Sequence, residues 1–294
     1  MTEVVVTFIG IVMIGVGLHD MFHTLLHPKG QGRLSQLVLA GMWRGSKATG
    51  HRLGSTVGPL AMVAVILVWV LLQVLGWALI YLPHVPGGFR YSSGVDPAVY
   101  PDVIEAVYLS AVTLSTLGFG DMVATDPWIR AGSPLQALTG FALLTAALTW
   151  FMQIYPPLSR RRALALELKG LADTDWADSM EDGDPVVLTR VLDTLAAELV
   201  TVRVDFGQHA EGFYFQESEP DLSLARELPY ALTLRDTALA TSEPVVRRSG
   251  RKLSLAIDQL SEQLDASFLH TGGAPEQVLA AYAADHGEQP RARG

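Results

Sequence analysis

Thr116-Leu117-Gly118-Phe119-Gly120-Asp121 places two glycines one residue apart. Glycine reaches left-handed backbone conformations at little steric cost. A strip built this way can alternate its handedness residue by residue, so that successive main-chain carbonyls point the same way. Such a row of oxygens is what a partly dehydrated cation needs. Thr116 can add its hydroxyl at one end of the row.

Just upstream, residues 103–116 form an apolar stretch. As a helix it would be about 20 Å long, too short for a hydrocarbon core of about 30 Å. Pro101-Asp102 reads as its start, with Asp102 as cap and Glu105 completing a capping box. Flanking it are two runs without a charged residue, Val57–Leu82 and Ala131–Tyr155. Each is long enough to span a bilayer. A short helix dipping in from one side, then a glycine-spaced strip, then a span, is a re-entrant loop. Non-helical backbone at that depth is tolerated only where it is buried in protein or lines a wet cavity. The short helix ends at the strip, so its partial negative charge favours cations there.

A third apolar run, Val4–Leu18, continues to Leu25-Leu26, with His19, Asp20, His23 and His27 towards its end. Met1-Thr2-Glu3 is not the basic start of a cleaved leader, so a retained helix is expected. The segment 28–56 carries Lys29, Arg33, Arg44, Lys47 and Arg52 and no acid, and Arg160-Arg161-Arg162 follow the last span. Positive residues mark the cytoplasmic side. The expected threading puts the N-terminus outside and the C-terminus in the cytoplasm of a multi-pass cell-membrane protein.

The strip and its setting resemble the potassium channel pore family. Leu117 stands where the family usually has Val, and Phe119 where it usually has Tyr, which removes one hydrogen bond to the surrounding cuff. The resemblance covers roughly residues 57–155 and implies potassium as the permeant ion, with no other cofactor. It implies ion binding by the carbonyls of Thr116, Leu117, Gly118 and Phe119, with Gly120 and Asp121 supporting the filter. Gly140 falls where that family often has a hinge glycine; it also suits close helix packing. One filter per chain cannot close a ring, so a homotetramer is expected.

Leu144, Leu148 and Met152 recur every four residues below the filter. They either line an apolar inner pore, which can gate by dewetting, or serve helix packing. Pro156-Pro157 is expected to break the last span. On the first helix His19, Asp20 and His23 are candidates for pH or metal sensing; the alternatives are that they mark the membrane interface, or that Asp20 and His23 pair with a neighbouring helix or the basic loop. Gly15-Val16-Gly17 reads as close helix packing. Residues 34–42, with Trp43, suit a helix lying on the inner leaflet.

Residues 1–162 hold 10 Lys/Arg against 7 Asp/Glu, while 163–294 hold 11 against 23. The acidic half argues against nucleic-acid binding. Cysteine is absent, which excludes disulfides and thiolate metal sites. Asp184-Pro185 and Glu243-Pro244 look like helix starts. No catalytic constellation stands out, and no cytoplasmic regulator can be named.

The expected fold is an all-α membrane protein: three transmembrane helices, a re-entrant pore helix and selectivity filter, and a helical cytoplasmic domain. Its expected parts are an N-terminal helix (1–27), a basic linker with an interfacial helix (28–56), a pore domain (57–158) and an acidic helical domain (159–294). A weakly selective cation channel, or a non-conducting sensor or scaffold acting through its tail, are the competing readings.

Overall fold

A computed structural model describes residues 1–25 and 32–289. His27, and the expected extension of the first span to residue 27, lie outside the described residues. In chain order the helices are α1 (Thr2–Leu25), α2 (Arg33–Ala48), α3 (Val57–Tyr81), α4 (Asp102–Leu114), α5 (Pro127–Asp173), α6 (Pro185–Gln208), α7 (Leu224–Glu227), α8 (Tyr230–Ala240), α9 (Pro244–Leu264) and α10 (Pro275–Asp285). Two short strands, β1 (Phe89–Tyr91) and β2 (Met122–Ala124), pair antiparallel with Tyr91 opposite Met122. Apart from that pair the regular structure among the described residues is helical. Helices α1, α3 and α5 are long and apolar enough to cross a membrane.

The chain divides into two compact units: residues 1–37 with 63–152, and 38–62 with 153–294. The segment 38–62 therefore groups with the C-terminal residues rather than standing alone as a linker.

In the first unit, glycines let α1 approach α3 closely. A Cβ on Gly10 would come within 2.4 Å of the Gly76 carbonyl oxygen, and one on Gly17 within 2.9 Å of Gln73 Nε2. Gly15 meets nothing within 4 Å, so of the expected pair only Gly17 packs. The rest of α1 presents exposed Val4, Val5, Phe8, Ile9 and Val12.

The second unit is a helical domain in which α6 packs on α9, and α9 on α8 and α10. Leu192, Leu195 and Leu199 of α6, with Leu253, Leu260 and Leu264 of α9, are buried in its core. Asp184 caps α6 by accepting from the Val186 amide at 2.8 Å. Pro244 opens α9, with no side-chain cap from Glu243.

Two expectations fail here. Trp43 is not an interfacial ring: it is buried against Phe213 and His286, and its Nε1–H donates to Asp285 at 2.7 Å. Burying an indole whose N–H finds a carboxylate outweighs leaving it at a surface. Nor does Pro156-Pro157 break α5, which continues to Asp173. The prolines remove two amide donors. Beyond them Leu158, Leu164, Ala165 and Leu168 are buried, and the arginines are clamped. Arg160 holds Asp205 through two bonds of 2.6 and 2.8 Å. Buried Arg161 donates to the carbonyls of Gly212 and Phe215 and to Glu217, which also receives Arg162.

Candidate functional site

The strip from Thr116 to Gly120 has the alternation its glycines suggested. Thr116, Gly118 and Gly120 have φ of 59°, 53° and 75°, while Leu117 and Phe119 between them are not in that region. Thr116 does two things at once. Its N–H bonds the Thr113 carbonyl and the Leu117 N–H bonds the Val112 carbonyl, both at 3.0 Å. That pair of bonds around one left-handed residue is the Schellman ending of a helix. The residue that terminates α4 is therefore also the first of the strip. Every residue from Ser115 to Gly120 is exposed in the single chain, including the apolar side chains of Leu117 and Phe119.

α4 is held in place by a buried polar network. Tyr81 of α3 donates to Gln136 Oε1 of α5 at 2.5 Å. Gln136 Nε2 donates to the Ser110 carbonyl at 3.0 Å and to its hydroxyl at 2.8 Å. Ser110 Oγ in turn donates to the Val74 carbonyl at 2.8 Å. A satisfied buried network of this kind specifies one arrangement of its elements.

The C-terminal end of the strip is pinned by side chains. Tyr108 donates its hydroxyl to Asp121 Oδ2 at 2.6 Å, and the Ser92 amide donates to the Asp121 carbonyl at 2.9 Å. Tyr91 of β1 donates to Glu105 of α4 at 2.5 Å. Burial foremost, and then the Glu105 carboxylate, push the Tyr91 hydroxyl above its usual range. Strand β2 follows Asp121 and pairs with β1, so the end of the strip, the strand pair and α4 form a closed loop of contacts. The expected capping box is absent. Pro101 occupies the N-cap without a side-chain bond, because Glu105 is buried and engaged by Tyr91. At the start of α5, Asp126 accepts from the Trp128 and Ile129 amides, and the Ile129 bond foremost holds its carboxyl below the usual range.

Gly140 meets the C-terminal end of α4. A Cβ there would lie 1.8 Å from the Leu114 carbonyl oxygen, and α5 runs unbroken through the position. The geometry gives this glycine a packing role beneath the strip. Leu144, Leu148 and Met152 are exposed, and with Leu138 and Phe141 they form one apolar stripe along α5. Thr145 and Thr149, near that stripe, return their hydroxyls to the carbonyls of Phe141 and Thr145.

The structure separates the residues flagged on α1. The rings of His19 and His23 lie 4.1 Å apart. Asp20 is buried and turned to α2, where Oδ1 accepts from the Leu34 amide at 2.8 Å and Oδ2 from the Ser35 hydroxyl at 2.6 Å. The Ser35 amide and Trp69 Nε1–H, at 3.2 and 2.9 Å, also donate to Oδ2. Asp20 thus caps a helix that begins thirteen positions later, and joins α1, α2 and α3. Trp69 continues the line to Trp150, ring centres 5.6 Å apart. Among the described residues no group of three or more His, Asp or Glu is placed to hold a metal ion.

Sequence reasoning missed Tyr81, Tyr91, Tyr108, Ser110 and Gln136. Gln136 and Ser110, polar inside apolar stretches, were the signal available for the network. No curated protein and no solved structure matches the chain. The family model described as an ion channel does match, over residues 65–155, so this stretch, holding most of α3, all of α4, the strip and α5 as far as Tyr155, is similar to the ion channel family.

Proposed function

We propose that the chain is one subunit of a homotetrameric, potassium-selective channel that conducts passively across the cell membrane. The similarity of residues 65–155 to the ion channel family supports a pore. The observation that carries the finer reading is the alternating backbone of residues 116–120. Carbonyls of Thr116, Leu117, Gly118 and Phe119 directed one way, repeated by four chains, would replace the hydration shell of a cation. Asp121, braced by Tyr108, holds the outer end.

The exposed Leu117 and Phe119 need cover, and neighbouring subunits around a central axis would supply it, leaving the apolar stripe of α5 turned to that axis. The stripe, with Leu144, Leu148 and Met152, then lines the conduit below the filter. The threading with N-terminus outside and C-terminus in the cytoplasm rests on the placement of Lys and Arg. No step of this function is a chemical reaction.

The test is Gly118→Ala in the reconstituted channel. At a φ of 53°, alanine is strained by about 1–2 kcal/mol, and the strain falls on all four chains. Conduction should vanish while membrane insertion is retained. An unchanged single-channel current would contradict the filter assignment, and a wild type that carries no current would favour a non-conducting sensor acting through its tail.

A further inference from the structure

In the first unit a cavity of about 240 Å³ lies between α1, α3 and α4. Met13 of α1, Leu75, Ala78 and Leu79 of α3, and Ala106 and Val107 of α4 line it. Its remaining lining residues, Leu82 and Val103, are also apolar. Water needs two or more polar partners to occupy such a space, and an apolar cavity of about 150 Å³ is large enough to stay dry and take a benzene ring. This one is larger and offers side chains without a polar group.

Its position on α3 selects the occupant. Leu75, Ala78, Leu79 and Leu82 share one stripe at helical spacing. Trp69, Trp77 and Tyr81 occupy another stripe and meet α5 through Trp150, Gly132 and Gln136. The cavity is therefore on the side of α3 turned from α5, the helix whose exposed stripe would line the conduit. Its rim residues Leu75 and Val103 are exposed, 42% and 57%, and exposed Ile9, Leu71 and Ile104 extend the same apolar surface. In a bilayer that surface meets hydrocarbon.

We infer that this cavity is a binding site for one acyl chain of a membrane phospholipid. One wall is the outer half of α4, whose other end terminates in the filter. A seated chain therefore fills a void directly behind the pore helix, and its loss leaves that helix unsupported on one side. The inference rests on the membrane placement of α1 and α3 and not on ion selectivity. A silent or unselective pore would leave it standing.

The test is native mass spectrometry of the full-length protein, reconstituted with a synthetic phosphatidylglycerol of sixteen-carbon chains and then stripped stepwise with detergent. Ala106→Phe fills the cavity from within. Val103→Trp closes its exposed rim and leaves the buried wall intact. The wild type should retain one more phospholipid per subunit than either variant at the last stripping step. Equal retention by wild type and Val103→Trp would overturn the inference. The absence of cysteine gives a second arm: Leu75→Cys should remain uncrosslinked between copies under oxidation. Efficient disulfide formation would show a neighbouring subunit in the cavity and overturn the acyl-chain assignment.

Discussion

Thr116 was legible as the first residue of the glycine-spaced strip and illegible as a helix terminator. A β-branched residue at positive φ is not what propensity leads one to expect; here the two bonds that close α4 around it hold it there. Gly118 and Gly120 were legible because only glycine enters that region freely. Gly140 stood out from its spacing to the glycine strip, but its neighbour did not. The close approach to Leu114 is a tertiary fact: a methyl group at Gly140 would sit 1.8 Å from a backbone oxygen. Neither helix can yield there without moving the strip. Gly140→Ala should therefore change ion selectivity as well as current, whereas a residue acting only as a flexible joint would alter open probability alone. Single-channel recordings in mixed potassium and sodium distinguish the two.

At the scale of elements, the spans were readable from apolar run length and the small helix from its position before the glycines. What the chain's linear order hid was the use of its polar residues. Asp20 could be read as a sensor or as paired with a neighbouring helix, and its partners are the amides of Leu34 and Ser35 and the indole of Trp69. The first two lie across a connection and the third on another span. Capping a helix from a distant segment leaves no local pattern. Asp20→Ala removes the acceptor for several buried donors, and the loss should be on the order of 3 kcal/mol. Thermal unfolding of the purified protein should show a clear fall in midpoint, with Asp20→Asn intermediate, since its amide oxygen still accepts. α5 makes the same point from the other side. A Pro-Pro pair is a sound break signal, but burial of Leu158 and Leu168 and the Arg160–Arg162 clamps prevail over it.

At the scale of the whole molecule, the acidic half was legible as helical and no further. Its core closes around His286, whose ring nitrogens lie 3.1 and 2.9 Å from the carbonyls of Tyr282 and Phe213. Burial foremost, and then Arg161, depress this imidazole to about 4 from 6.5, against the opposing pull of the Phe213 carbonyl and then Asp285. Glu217 pairs with Arg161, and Lys47 with Asp285. The unfolded chain takes up the proton below about 6.5 while the folded one resists it down to about 4. Stability from this residue is thus complete above that window and lost as pH falls through it. Melting of the intact protein from pH 7.5 to 5 should show the decline, and His286→Gln should flatten it.

A potassium-selective ring of four filters is tested in one bilayer experiment: the reversal potential of the purified protein with potassium on one side and sodium on the other. It should be displaced strongly towards the potassium equilibrium potential. A value near zero would contradict potassium selectivity and make the protein a weakly selective cation channel.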